Sequence, residues 1–177
     1  MNIAEKKRQN NIAEYIIHMY QSEDLIRAFE CDIDKVKEYV LKHIPTEGTT
    51  KKELEHWYQQ LLERMQHENI LSSGHLKETH EIVAQLDELK QELVHNDEEF
   101  KSIYTKAESH IQQMLQLAEG KINSEVQICL NGVYGLLIAK INGRDIPDEF
   151  RESIEEFGNV LSYLSYKYKQ KHFLSNN

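Results

Sequence analysis

The 177-residue sequence has only two prolines and seven glycines, and its two cysteines lie far apart. So few prolines and glycines leave little room for the turns of a β-sheet protein or for flexible linkers. Cys31 and Cys129 form no CxxC pair, and no histidine lies beside them at a metal-ligand spacing. Two reduced thiols in a cytoplasmic protein are therefore a simpler explanation than a disulfide.

Long apolar runs are also lacking. The most apolar segment, residues 126–141, contains Gln127, Asn131 and Lys140, and it is shorter than the ~20 residues that cross a bilayer. The N-terminal residues 1–11 carry positive charge, but the apolar stretch of a signal peptide does not follow them. The sequence therefore predicts no membrane span, and it indicates a buried helix over residues 126–141.

Positive charge is the minority sign, because 21 lysines and arginines oppose 30 aspartates and glutamates, for a net charge of −9. Nucleic-acid binding depends mainly on lysine and arginine contacts to phosphates, so this acidic protein is not expected to bind DNA or RNA. Glutamate, lysine, glutamine and leucine are abundant, and all four favour helices.

Apolar residues recur at spacings of three and four in seven segments, which predicts an all-α fold. The helices are expected at about residues 3–29, 33–43, 51–67, 75–94, 98–118, 126–141 and 147–168. N-caps are expected at Asp32, Thr50, Asp97 and Ser124, and the second helix should end before Pro45.

The short connections favour antiparallel neighbours, and so a single-domain up-and-down bundle of six to seven helices over residues 1–177. The helix at residues 126–141 is apolar nearly all round, which places it at the centre of the bundle. Gly132 and Gly135 in this helix are expected to contact another helix closely. A ligand cavity beside the two glycines is the alternative.

Recognisable catalytic motifs are missing: the sequence has no GxSxG elbow, no Walker loop and no GxGxxG. Two Glu-x-x-His pairs, Glu53/His56 and Glu92/His95, have the spacing of half a di-iron site in a helical bundle. On a helical wheel, however, His56 points away from the core side of its helix, and Glu92 and His95 lie on the outer face. We therefore predict no metal, no cofactor and no catalytic residue.

One charged cluster interrupts an apolar stripe. Ile16 and Met19 lie on one helix face, yet the next position of that face is Glu23, followed by Asp24 and Arg27. Both carboxylates can reach the guanidinium, at i+4 and i+3. The cluster could be a solvated surface clasp, a buried structural network, or a site that presents Arg27 to an anionic small molecule. The apolar stripe favours the buried network, with Arg27 at least half buried and in contact with both carboxylates.

Four segments together resemble a bacterial protein family of about this length. They are NIAEY at residues 11–15, EDLIRA at 23–28, SGHLKE at 73–78 and NGVYGLLIAKI at 131–141. The family is known only as a domain of unknown function, so the resemblance implies an all-helical fold and no assigned activity. It also implies that EDLIRA and GVYGLL are family features, which makes a surface clasp of Glu23 and Arg27 a less favoured explanation.

These patterns favour a non-enzymatic helical bundle that acts through protein–protein interaction or self-association. The alternative is a small-ligand-binding or enzymatic bundle, in which Glu23, Asp24, Arg27 and Tyr134 converge on a pocket for an anionic molecule.

Overall fold

A computed structural model describes residues 2–43 and 48–174. The described residues form eight α-helices and no strand, which confirms the predicted all-α class. The helices are α1 (Ile3–Asn10), α2 (Ile12–Ala28), α3 (Ile33–Val36), α4 (Lys51–His67), α5 (Lys77–Asn96), α6 (Glu98–Leu117), α7 (Glu125–Ile141) and α8 (Asp148–Lys169). Short π-helical segments, Lys37–Leu41 and Gln170–Leu174, continue α3 and α8. The predicted helix end before Pro45 lies outside the described residues.

Local capping signals are confirmed at all four predicted positions. Asp32, Thr50, Asp97 and Ser124 each accept a hydrogen bond from a backbone N–H in the first turn of the following helix. At α4 the capping box is complete, because the Glu53 carboxylate also accepts from the Thr50 backbone N–H at 2.8 Å. Each cap satisfies a donor that the helix itself leaves unpaired.

The predicted single helix over residues 3–29 is wrong, because the helix is interrupted at Asn11. The backbone of Asn11 is extended (φ −151°, ψ 103°), and its side-chain oxygen accepts from the Glu14 N–H at 3.2 Å. Asparagine competes with the helical backbone for such donors and is a preferred N-cap, so it ends α1 and begins α2.

The chain separates into two compact units, residues 1–81 and 82–177, and the boundary falls within α5. In the first unit, α2 packs against α1, α3 and α4. Its core includes Ile12, Ile16, Met19, Tyr20, Ile26, Leu61, Met65 and Leu76. In the second unit, α6 and α7 pack against α8, and the core includes Phe100, Ile111, Leu130, Phe157 and Leu164. Folding of residues 1–177 as one domain stays a prediction.

The predicted burial of α7 holds only for its first turns. Residues 126 and 128–130 are buried, whereas none of residues 131–141 is buried. In the second unit, α6 and α8 pack against α7. Gly132 does contact α8, because a Cβ at this position would lie 2.7 Å from Cδ2 of Phe157. The same prediction for Gly135 is wrong, since no neighbouring atom lies within 4 Å of its Cβ position.

Both cysteines are free thiols, Cys129 buried and Cys31 partly exposed. Among residues 2–43 and 48–174, no helix combines the length and the apolar character that crossing a membrane requires.

Candidate functional site

The carboxylate of Glu23 lies at the centre of the cluster that the sequence singled out. Its side chain on α2 is completely buried. One oxygen lies 2.6 Å from Nδ1 of His75, and the other accepts from the backbone N–H of Leu76 at 3.2 Å. A buried carboxylate requires such partners, because desolvation of an unpaired charge is costly. Glu23 therefore holds the segment just before α5 rather than binding its own helix neighbour.

His75 is itself fixed by an aromatic neighbour. Its ring stacks on that of Tyr20, with ring centroids 3.6 Å apart. With Glu23 ionised, Nδ1 of His75 carries the proton of the short hydrogen bond, because a carboxylate can only accept. Tyr20 and Glu23 thus position one imidazole from two successive turns of α2.

Arg27 binds the same connection, residues 68–76, which we name the α4–α5 loop. One Nη donates to Asp24 Oδ1 at 2.8 Å. The other donates to the carbonyl oxygens of Ile70, at 2.9 Å, and of Gly74. The Arg27 side chain is only 14% exposed, which confirms its predicted burial. Its Nε is buried without a hydrogen-bond partner among the described residues.

The expected contact between Glu23 and Arg27 is absent, because each side chain has other partners. Asp24 takes the predicted ion pair with Arg27, while Glu23 pairs with His75. Because Glu23 and Arg27 both bind the α4–α5 loop, the charged cluster has the features of a structural network that joins α2 to this loop. Tyr134 lies on α7 in the second unit, whereas the other three residues of the predicted ligand site lie on α2. A ligand-binding role for these four residues stays a prediction.

A second charged network in the first unit was not found from the sequence. Glu78 accepts from Arg8 at 2.6 Å and from Arg64 at 2.7 Å. The Arg8 guanidinium also lies over the ring of Tyr15, 5.6 Å from its centroid. Burial, with a contribution from Glu78, raises the pKa of Tyr15 to about 12. One carboxylate thereby links α1 and α4 to the start of α5, and Tyr15 stays protonated near neutral pH.

A surface cleft of about 470 Å³ runs along α4, and its lining includes Trp57, Arg64 and His67. The imidazole of His18 stacks on Trp57, with ring centroids 5.4 Å apart. Burial, with a smaller contribution from Lys7, lowers the pKa of His18 to about 4. His18 is therefore neutral at pH 7. Arg64 and His67 are exposed, and so they do not form a buried binding site.

A partly buried network in the second unit centres on Glu125. The Lys90 ammonium lies 2.8 Å from Glu125 Oε2, and the Tyr104 hydroxyl donates to the same oxygen at 2.9 Å. Gln112 donates to the other oxygen at 3.1 Å. Burial, together with Glu125, raises the pKa of the nearby Cys129 thiol well above its usual range. Cys129 is thus protonated and inaccessible, which makes it unsuited to act as a nucleophile.

Several large apolar residues are not buried at the end of α7 and the start of α8. No residue from 131 to 152 is buried, and the structure describes all of them. We name this region the α7–α8 surface. Its large apolar residues are Val133, Leu136, Leu137, Ile138, Ile141, Ile146 and Phe150. Ile141 is 64% exposed and Phe150 is 43% exposed. A cleft of about 520 Å³ lies between the two helices here.

The two Glu-x-x-His pairs do not assemble into a centre. Glu53 serves the capping box of α4, and His56 and His95 are exposed. Within the described residues, no group of three or more histidine, cysteine, aspartate or glutamate side chains could hold a metal ion.

The sequence model of a family described as "Domain of unknown function (DUF4924)" matches residues 1–173. The searches of curated proteins and of solved structures found no match.

Proposed function

We propose that this chain, which belongs to the DUF4924 family of unknown function, is a non-enzymatic helical module that acts by binding another protein molecule through its α7–α8 surface. The observation that carries the proposal is the incomplete burial of the second half of α7, the most apolar helix of the chain. Its residues 131–141 are unburied although six of them are large and apolar or aromatic.

Exposure of this kind has a free-energy cost that binding removes. Each Å² of apolar surface taken out of water contributes about 25 cal/mol. Contiguous apolar area rimmed by charges is typical of protein interfaces, whereas single exposed apolar residues are ordinary. Ile141 and Phe150 are the exposed large apolar residues on either side of the connection between α7 and α8.

The chemistry of the other candidate residues supports a non-enzymatic role. The carboxylates of Glu23 and Glu125 are engaged by neighbouring side chains. Both Nη atoms of Arg27 are engaged by the α4–α5 loop or by Asp24, and burial keeps the Cys129 thiol protonated. Catalysis needs a group that is both accessible and activated, and these groups are held for packing instead.

Site-specific photo-crosslinking tests the proposal. A benzophenone amino acid replaces Ile141 in one variant and Leu117 in a matched control. Both residues end a helix, α7 and α6 respectively, and they are 64% and 68% exposed. Irradiation in the expressing cells should give discrete protein adducts for position 141 and none for position 117. Equal adduct yields at the two positions, or none at position 141, would contradict the proposal.

A further inference from the structure

We infer that the imidazoles of His75 and His80, at the start of α5, form a binding site for one divalent metal ion that prefers nitrogen ligands, such as Zn²⁺. The inference goes beyond the proposed function and does not depend on it. Both histidines lie in the first unit, whereas the α7–α8 surface lies in the second. Support comes from the positions of the two rings, from the hydrogen bond of His75 and from the charges around the pair.

The two histidines occupy a pair of positions that helices often fill with apolar residues. The carbonyl oxygen of Leu76 accepts from the His80 N–H at 3.3 Å, so Leu76 is the N-cap of α5. His75 precedes this cap, and His80 is the fourth residue of the helix. In a hydrophobic staple, side chains at these two positions pack against each other. Here the neighbours are two imidazoles, whose ring centroids lie 6.2 Å apart, and so the local fold brings two metal-binding side chains together.

His75 is already held in the form that binds a metal ion. Its Nδ1–H donates to the buried carboxylate of Glu23 at 2.6 Å, which leaves the lone pair of Nε2 available. Metal-bound histidines almost always donate their other N–H in this way, commonly to a carboxylate, because the hydrogen bond fixes the ring and raises its basicity. Stacking on Tyr20 fixes the plane of the ring as well. His75 therefore needs no rearrangement to act as a ligand.

The second ring nitrogen of His75 is accessible to solvent. The His75 side chain is 25% exposed. Among residues 2–43 and 48–174, Nε2 of His75 has no hydrogen-bond partner, and it is not one of the buried unpaired atoms. His80 is exposed. An ion can therefore reach both rings directly from water.

The spacing of the rings fits a shared ion after a small movement. Two imidazoles on one tetrahedral Zn²⁺, with Zn–N bonds of about 2.0–2.1 Å, hold their ring centroids roughly 5 Å apart. Rotation of the exposed His80 side chain can supply the difference of about 1 Å from the observed separation. Within the described residues, no group of three or more suitable side chains could hold a metal ion. Water molecules therefore complete the coordination, and the ion should bind reversibly.

The charges near the pair can accommodate a cation. A helix N-terminus disfavours positive charge, but the buried Glu23 carboxylate is hydrogen-bonded to the His75 ring. The ammonium of Lys77, the residue that begins α5, pairs with Glu81 at 3.6 Å. One carboxylate thus offsets the helix dipole, and the other offsets the nearby lysine.

Calorimetric titration of the metal-free full chain with Zn²⁺, from about 1 µM to about 1 mM, tests the inference. The parent should bind one Zn²⁺ at this site, and His80→Ala should weaken that binding about tenfold or more, because one of two protein ligands is lost. His56→Ala is the matched control and should bind as the parent does, since His56 is likewise exposed and lies near the start of α4. Mg²⁺, which prefers oxygen ligands, should not compete. Absence of binding, effective competition by Mg²⁺, or equal affinities of the parent and His80→Ala would overturn the inference.

A second variant tests the part that Glu23 plays. Glu23→Gln keeps the length of the side chain and an oxygen acceptor but removes the charge, and it should weaken Zn²⁺ binding about 10–100-fold. An unchanged affinity in a folded Glu23→Gln protein would overturn the inference.

Because Glu23 is completely buried, its replacement puts the fold at risk, and NMR of the histidine rings in the parent gives an independent measurement. Zn²⁺ should shift the ring signals of His75 and His80 and leave those of His56 unchanged. The Nδ1–H proton of His75 should persist in the bound state, since the metal ion occupies Nε2. Loss of this proton, or shifts confined to other histidines, would overturn the inference.

Discussion

Replacing Arg27 with methionine should lower the free energy of unfolding by about 2–4 kcal/mol, because two carbonyl oxygens of the α4–α5 loop lose a charged donor. The carbonyls are those of Ile70 and Gly74. Asp24 contributes little to this value, since its side chain is 47% exposed and exposed ion pairs are worth under about 1 kcal/mol. Methionine keeps the length of the buried stem, so the loss reports mainly the hydrogen bonds.

Urea unfolding of Arg27→Met and of Lys101→Met, followed by circular dichroism, measures the effect. Lys101 is exposed, so its replacement is the control and should change stability by less than about 0.5 kcal/mol. Hydrogen exchange should also quicken in the α4–α5 loop of the first variant alone. An unchanged stability of Arg27→Met would refute the structural explanation. Together with a lost affinity for small anions, that result would favour the anionic-ligand alternative.

Three further predictions follow from the packing and the titrating groups. Because the folded pKa of His18 is about 4, the protein should lose up to about 3 kcal/mol of stability as the pH falls from 6.5 to 4. This loss should be smaller in His18→Gln. Equal dependence of the unfolding free energy on pH in the parent and in this variant, measured by urea unfolding, would contradict the prediction. The Lys167 ammonium and the α6 backbone hold the pKa of Asp97 at about 2. The stability that ionised Asp97 contributes to the fold is therefore present above pH 3.8 and is lost as the pH falls towards 2. Asp97→Asn should accordingly narrow the difference in Tm between pH 6 and pH 2.5, and an unaltered difference would refute this assignment. Gly132→Ala should lower the free energy of unfolding by about 1–3 kcal/mol through overpacking against α8, whereas Gly135→Ala should be neutral or stabilising. Equal melting temperatures of the two variants would contradict the close contact of residue 132 with α8.

The parts of the fold that could be predicted are those determined by near neighbours in sequence. The capping box of Thr50 and Glu53 is complete within four residues, and the apolar spacing of α6 reports one buried face. Asn11 also carried a local signal, because asparagine is a preferred N-cap. Helix-favouring residues on both sides of it favoured one continuous helix instead.

The charged cluster could be located from the sequence, but its partners could not. An i, i+4 spacing suggested that Glu23 meets Arg27, yet the partner of Glu23 is His75, 52 residues away. Whether Glu23 binds the nearby Arg27 or the distant His75 depends on where the α4–α5 loop lies. The spacing of apolar residues does not indicate that position. Two of the segments that suggested the family, residues 23–28 and 73–78, turn out to contact each other through these bonds.

The misjudged part of α7 has a different cause. A helix that is apolar all round has the same sequence pattern whether its own chain buries it or a second molecule covers it. Burial of residues 126 and 128–130 agrees with the first case, and the incomplete burial of residues 131–141 agrees with the second. Composition alone therefore placed the whole helix in the core.

Hydrogen exchange of the chain alone, and of the chain in complex with the molecule that crosslinks at position 141, tests the central claim most directly. Backbone amides at residues 131–152 should exchange more slowly in the complex, whereas those of the exposed face of α6 should not change. Equal exchange at residues 131–152 with and without the bound molecule would contradict binding through this surface.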